Sequence, residues 1–414
     1  MARKMKDSGI EWIGEIPEEW EVTKLKYLST FPIEKNARTD SPYIGLENIE
    51  SWTGKYVSSD SQYDKSQALA FFENNILFGK LRPYLAKVFC ASNDGCCSSE
   101  FCILNFSSSV NIRYFWNLLI SPTFIDHVTK STYGTKMPRA NTDFIKNICV
   151  PVPPRIEQDR IALYLDATSA KIDSLISETR SNIEEYKKLK QAVITQAVTK
   201  GVRGEREMKD SGVEWIGEIP KEWDILNLVA HTSMLTPMRD RPENLDGPIP
   251  WIRIEDFDGK YISSSKASLG VSKETVRSMN LKIYPVGTIL CTSSCIMGKC
   301  AIVSRELVSN QRFIGIIPDQ NTCENFLYYL MLSNSERMNY LATGALQANL
   351  SRSSFEHLKV QFPSYQEQKE ISDYLDTKCA EIDKLIAKKK QLVKELESYK
   401  KSLIYEVVTG KREV

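Results

Sequence analysis

The sequence predicts an α+β protein. Two mixed α/β domains are joined by a pair of long antiparallel helices that form a coiled coil, and the whole is a pseudo-twofold internal duplication. Three observations predict it. Residues 155–200 contain neither proline nor glycine, with Pro151, Pro153 and Pro154 before them and Gly201 after them, which are the start and stop signals of a helix. Residues 365–409 have the same freedom and end on Gly410. Residues 5–20, MKDSGIEWIGEIPEEW, return at 208–223 as MKDSGVEWIGEIPKEW with only two of sixteen positions changed, and a copied peptide of this quality marks a duplicated chain.

The elements follow in order. Residues 1–22 hold the first copied peptide, whose turn residues surround Trp12 and Trp20. It reads as a short irregular segment pinned by two buried indoles. Residues 23–150 are the first α/β domain, with strand-like runs at 43–49, 76–78, 87–89 and 101–105 and helical stretches at 112–120 and 122–130. The central helix and its flanks take 151–202, and the second copied peptide takes 203–225. Residues 226–362 are the second domain, with strands expected at 251–254, 288–291, 301–303 and 313–317 and a helix at 324–342. Residues 363–414 carry the second long helix.

Anchors link the two domains. Asp258-Gly259-Lys260-Tyr261 parallels Thr53-Gly54-Lys55-Tyr56, Gly344 parallels Gly134, and Ser353-Ser354-Phe355 parallels Thr142-Asp143-Phe144. Elsewhere the domains scarcely resemble each other. The offset between copies grows from 203 residues at the peptide to 210 at the helix, so the second domain is seven residues longer.

The long helices match without a gap. Gln158 corresponds to Gln368, Tyr164-Leu165-Asp166 to Tyr374-Leu375-Asp376, and Ile172-Asp173 to Ile382-Asp383. Apolar residues recur mostly at steps of three or four, with a few steps of six to eight: Ile161, Leu165, Ile172, Leu175, Ile183, Tyr186, Leu189, Val193 and Ala197 in one helix, and Ile371, Leu375, Ile382, Ile386, Leu392, Leu396, Leu403 and Val407 in the other. This pattern is close to a heptad. At 1.5 Å per residue each helix is about 65 Å long, too long for a small core to cover. The natural partner of each is the other, which brings the end of the second helix back near the first peptide.

Composition narrows the function. The chain of 414 residues is 42% hydrophobic and 26% charged, a soluble globular balance with room for two or three domains. A net charge of +1 excludes a nucleic-acid binder acting through bulk charge. There is no signal peptide and no apolar run long enough to span a membrane, so a cytoplasmic location is expected. Ten cysteines without a CxxC pair, and only three histidines, suit reduced and mostly buried thiols rather than a metal site. No GxGxxG, GxxxxGK[ST], HExxH or (N/D)PP(Y/F) motif occurs. The group Asp258-Gly259-Lys260 hints at a nuclease, but Thr53 replaces the acid in the other copy.

Peptide and helix are kept alike while the domains differ. A surface that meets the same partner twice must keep its shape twice, and one that meets two targets must differ. The residues therefore suggest a frame for two copies of one partner, carrying two readers with unlike targets.

The D-S-G-x-E-W-x-G-x-I-P-x-x-W pattern from Asp7 to Trp20 and Asp210 to Trp223, the P-x-P-P-x-x-E-Q run from Pro151 to Gln158, and the Val408-Thr409-Gly410 ending resemble the specificity subunit of type I restriction–modification systems. The resemblance covers the whole chain, although Pro363-Ser364-Tyr365 replaces the proline cluster before the second helix. It implies two target recognition domains, each reading half of a bipartite site on double-stranded DNA, with the paired helices as a ruler. It also implies two methyltransferase subunits docked on the helices, joined by motor–nuclease subunits. The subunit itself is expected to be non-catalytic and without cofactor, with S-adenosylmethionine, ATP and Mg²⁺ on the partners.

Acid-free basic stretches agree with that implication. They place Lys80, Arg82, Lys87, Lys136, Arg139 and Asn141 in the first domain as DNA-contact candidates. In the second, the acid-free residues 275–305 and 337–355 place Lys299, Gln347, Asn349 and Arg352, and Arg253 and Arg312 are further candidates. Lysine and arginine hold phosphates, arginine forks onto guanine, and asparagine or glutamine pairs with adenine. Two readers on one face of B-DNA sit about 10 bp apart, centre to centre, so two unlike half-sites should flank several unread base pairs. The alternatives are a scaffold whose domains bind proteins or glycans, and a stand-alone nuclease or methyltransferase.

Overall fold

A computed structural model describes residues 3–35, 42–59, 67–134, 136–237, 240–294, 298–342 and 350–414. The chain forms two compact units, one from residues 1–180 with 390–414, the other from residues 181–389. Each takes in a copied peptide, an α/β domain and part of both long helices.

Each copied peptide is a β-hairpin. Met5–Asp7 pairs with Glu15–Pro17, and Met208–Asp210 with Glu218–Pro220, in the same register. The Asp7 carboxylate accepts the Gly9 N–H at 2.9 Å and Asp210 that of Gly212 at 3.0 Å, an Asx turn that reverses the chain. Only one indole per copy is a core residue. Trp20 and Trp223 are fully buried, but Trp12 is half-buried in a stack on His127, and Trp215 is 43% exposed under the Arg337 guanidinium. The sequence places two tryptophans alike in the hairpin; the surface each meets depends on a domain that differs between copies.

In the first unit, Glu21–Lys24 pairs with Cys149–Val152, so the chain enters and leaves the domain side by side. Asp224–Asn227 and Lys359–Phe362 do the same in the second. The first domain has a four-stranded sheet in the order Ser29–Thr30, Phe101–Phe106, Ile76–Gly79, Val88–Cys90. The second has Thr232–Leu235, Phe313–Pro318, Ile289–Thr292, Cys300–Val303 and Tyr261–Ile262 in the corresponding order. The helices Ile112–Leu119 and Pro122–Lys130, and Glu324–Ser333 and Ser335–Leu341, cover the sheets and close each core with residues such as Phe124 and Phe326. The stretch expected as one helix at 324–342 breaks at Asn334, whose side chain donates to the Leu330 carbonyl.

Three further expectations are corrected. The strand expected at 43–49 stops at Ile44 and turns into a 3₁₀ helix at Leu46–Asn48, because the Asn48 side chain accepts the Gly45 N–H at 2.8 Å. The strand expected at 251–254 runs over Ile249–Ile252 and ends likewise, with Asp256 accepting the Arg253 N–H at 2.7 Å. The helix caps Asn141 and Ser351 correspond, so buried Ile145 matches buried Phe355, one residue away from the alignment of Phe144 with Phe355. The smaller sheets also part company. Tyr43–Ile44 runs parallel to Gly95–Cys97, as Ile249–Ile252 does to Val308–Ser309. The third strand, however, joins Gly95–Cys97 in the first domain and Ile249–Ile252 in the second.

The long helices run over Arg155–Lys200 and Tyr365–Val408, 46 and 44 residues. They are antiparallel in both units. Asp173 pairs with Lys400 at 2.7 Å in the first, and its counterpart Asp383 pairs with Lys190 at 2.6 Å in the second. Buried seam residues include Ile172, Ile176 and Val393 in one unit and Ile183, Ile382 and Ile386 in the other. Leu175, Leu189 and Leu392 follow the apolar spacing but are 49%, 48% and 39% exposed. The heptad has a second apolar edge that the seam leaves outside. The second helix ends against the first hairpin: the Tyr114 hydroxyl donates to the Val408 carbonyl at 3.0 Å, and Gly410, at φ +73°, has no room for a Cβ against Pro17. Among the described residues no helix is long and apolar enough to cross a membrane.

Candidate nucleic-acid interface

The copied motifs build a clamp at the foot of each long helix. The Trp20 indole donates to Glu157 at 2.9 Å and Trp223 to Glu367 at 3.0 Å. Arg3 pairs with Glu157 at 2.5 Å and lies over Trp20; Arg206 pairs with Glu367 at 2.6 Å and lies over Trp223. A buried indole N–H needs an acceptor and a carboxylate drawn out of water needs a cation, so the three side chains are brought together in each copy; in the second, Arg206 Nε and Glu367 Oε1 are buried without a hydrogen bond. The next residue is a latch to the domain. Gln158 accepts the Asn111 N–H at 2.8 Å and donates to the Pro153 carbonyl; Gln368 accepts the Cys323 N–H at 2.8 Å and donates to the Pro363 carbonyl. Asn111 and Cys323 are the N-caps of the domain helices Ile112–Leu119 and Glu324–Ser333. Serine in place of the proline cluster therefore leaves the second latch unchanged. Lys55 reaches Asp173 at 3.2 Å, and Lys260 reaches Asp376, one helix repeat from the matching position. With Lys260 engaged there and Asp258 paired to Lys266 at 3.3 Å, the Asp-Gly-Lys group does not converge on a common point.

The far edge of the first domain joins two of the basic stretches. Arg82 N–H donates to the Pro138 carbonyl, Ala140 N–H to the Lys80 carbonyl, and Leu81 bridges to Arg139. Lys80, Arg82, Lys136 and Arg139 thus lie along one edge, beside exposed Tyr84, Tyr133 and Met137. These three side chains carry no charge, so the sequence gives no signal of this kind for them. Arg139 forks onto Glu100 at 2.5 and 2.9 Å, which holds its guanidinium above its usual pKa. Arg82 sits at φ +51°, capping Pro83–Leu85. Two candidates have work inside the domain. Lys87 donates to the Leu46 and Ile49 carbonyls at 2.6 and 2.9 Å, and burial lowers its pKa. Asn141 caps the helix Thr142–Asn147 by accepting the Asp143 N–H.

The second domain has the same backbone junction with different side chains. Lys80 N–H donates to Glu100 O and its carbonyl accepts Ala140 N–H; Ser293 N–H donates to Arg312 O and its carbonyl accepts Leu350 N–H. Gly79 N–H meets Lys87 O as Thr292 N–H meets Lys299 O. The framework thus puts Arg312 where the first domain has Glu100. Arg312 and Gln311 divide two clefts. One, of about 320 Å³, is lined also by Arg241, Arg253, Glu255 and Asn310; the other, of about 520 Å³, by Ser294, Leu350 and Arg352. Arg253 Nε is buried without a hydrogen bond, with Glu255 4.0 Å away, and Arg352 pairs with Glu356 at 2.7 Å. Lys299 is exposed on the neighbouring strand turn. Gln347 and Asn349, and Gly344, lie outside the described residues. Arg241 and Gln311 escaped sequence reading because acids flank Arg241 and Gln311 carries no charge signal. Burial pushes the Cys97 and Cys102 thiols up to about 12, which leaves them protonated and inert.

Known proteins agree with this layout. A family model described as "Type I restriction modification DNA specificity domain" matches residues 17–185 and again 224–395. Along nearly its full length the chain is similar to the putative type I restriction enzyme MjaX specificity subunit of Methanocaldococcus jannaschii, 26% identical over 96% of this chain and 95% of that protein. It is 34% identical to the MjaIX specificity subunit of the same organism, but that match spans 46% of this chain and 44% of that protein. It shares its fold with a solved chain from work on complex assembly and conformational transition of the type I R-M system, with TM-score 0.78, 16% identity, and coverage of 96% of this chain and 99% of that one. With both halves matched, the chain belongs to the type I restriction–modification DNA specificity family, as a specificity subunit.

Proposed function

We propose that this chain reads a bipartite, asymmetric site on double-stranded DNA, one half by each α/β domain, and is itself non-catalytic. It holds two methyltransferase subunits on its long helices, with motor–nuclease subunits joining for cleavage. S-adenosylmethionine, ATP and Mg²⁺ belong to those partners.

One observation carries the reading. The indole–carboxylate bond of the clamp, the latch and the junction recur in the two units, while the side chains at the equivalent junction change from Lys80, Glu100 and Ala140 to Ser293, Arg312 and Leu350. An identical mount under unlike edges is what two half-sites of different sequence require. The edges carry the right chemistry: exposed arginine and lysine for phosphate and guanine, glutamine for adenine, and exposed tyrosines for sugar and base contact. The mount also leaves equivalent apolar residues outside, Leu175 and Leu385, at 49% and 43% exposure, which suits two copies of one partner.

The test is to map methylated bases in cells carrying this chain with its methyltransferase partner. Two unlike half-sites separated by a fixed unread gap are expected. Methylation without a sequence rule, or at a single continuous site, would leave the scaffold reading in its place.

A further inference from the structure

Resting on the DNA-reading assignment above, we propose that Gln311 and Arg312 are the base-reading tip of the second domain, with Arg312 forking onto a guanine in the major groove.

The backbone of this tip is held from several sides. Asn310 N–H donates to the Ile252 carbonyl, the Asn310 side chain accepts the Arg312 N–H at 3.0 Å, and the Arg312 carbonyl accepts Ser293 N–H at 2.9 Å. Ser309, just before it, is buried and hydrogen-bonded to the Tyr284 hydroxyl at 3.1 Å. The two side chains that follow are exposed and make no hydrogen bond or ion pair among the described residues. A fixed main chain under uncommitted polar side chains is the arrangement a reading contact needs, since the geometry is set before the ligand arrives.

The surroundings indicate what is read. The tip is the ridge between the two clefts, and each cleft brings further arginine: Arg241 and Arg253, with Asp240 and Glu255 beside them, on one side, and Arg352 on the other. Cations flanking a ridge match the phosphate strands that flank a groove, and they set the register of whatever lies on the ridge. Of these side chains, Arg352 is tied to Glu356, and Arg253 has Glu255 nearby. Arg312 keeps its whole fork available, and that fork fits the O6 and N7 acceptors of guanine; Gln311 beside it fits the N6 and N7 of adenine. The equivalent place in the first domain holds Glu100, bound to Arg139. One framework position thus carries opposite charge in the two readers, which separates their targets at that step.

The experiment uses the full chain in complex with its methyltransferase partner and selects bound sequences from a randomised duplex pool. Arg312→Ala is expected to lower the preference for guanine at one position of one half-site by roughly 5- to 150-fold, the worth of one bidentate contact, and to leave the other half-site unchanged. Arg312→Lys should weaken the same preference while binding to sequences without that guanine stays near wild type, because lysine keeps the charge but not the fork. If Arg312→Ala damages the fold, the first half-site weakens too, and Arg312→Lys decides alone. Retained preference in Arg312→Lys overturns the assignment, and so does equal weakening on every second-half-site sequence in an Arg312→Ala complex whose first half-site is bound as in the wild type. A wild-type complex that selects no sequence instead overturns the reading beneath it.

Discussion

Glu367 has a side chain only 2% exposed, while its counterpart Glu157 is 14% exposed. The two clamps share a design but not a dielectric, and charge removal should cost more in the drier one. Arg206→Ala strips the nearest cation from Glu367, leaving Arg203 at 3.8 Å. It is expected to destabilise the second unit by about 3 kcal/mol, the lower end for breaking a buried pair. Arg3→Ala should cost less, because water reaches Glu157. Denaturant unfolding followed by tryptophan fluorescence measures both, and the reverse order would contradict this account. Sequence reading saw the glutamate–glutamine pair as part of a motif but could not give it a role. Its partners lie far along the chain, Trp20 and Asn111 for one copy and Trp223 and Cys323 for the other. No local pattern carries that distance. The edge residues were partly legible: acid-free stretches pointed at Arg82 and Lys136, and Arg312 stood among the contact candidates, but charge alone could not separate them from Lys87, which is spent on carbonyls.

At the level of single elements, both long helices were legible almost to the residue, because proline and glycine punctuate them and nothing inside interrupts. Which stripe turns inward was not legible. Leu385 and Ile382 both fit the apolar spacing, yet Ile382 sits in the seam with Ile183 and Ile386, and Leu385 is 43% exposed. Ile382→Ala should therefore cost about 2 kcal/mol or more, as a core truncation does. Leu385→Ala should change stability by no more than about 0.5 kcal/mol. Changed together, Leu175→Ala and Leu385→Ala should leave the melting of the free chain nearly as it was and reduce co-purification of the methyltransferase partner. Unchanged co-purification would move the docking face elsewhere on the helices. The short strands were harder to read, since Leu69–Phe71 and Gly95–Cys97 are three residues each and gain their identity only from pairing.

For the whole molecule, the duplication was plain in the sequence, and the antiparallel pairing of its helices followed from length. The proposed ruler has a direct consequence. Four residues, about one turn, inserted into the middle of each long helix lengthen it by about 6 Å. The unread gap between half-sites should then grow by one to two base pairs, at about 3.4 Å each, with both half-sites unchanged. Mapping methylated bases for the lengthened chain reads this out, and an unaltered gap would show that the helices do not set the distance.

The return of the second helix to the first hairpin has an implication for synthesis. Residues 181–389 are one continuous stretch and hold everything their unit needs, whereas the other unit draws on both 1–180 and 390–414. On the ribosome, the domain translated first must wait, its floor beneath Trp20 open, until Tyr405 to Gly410 emerge to close it. The unit begun earliest is thus the last to be completed.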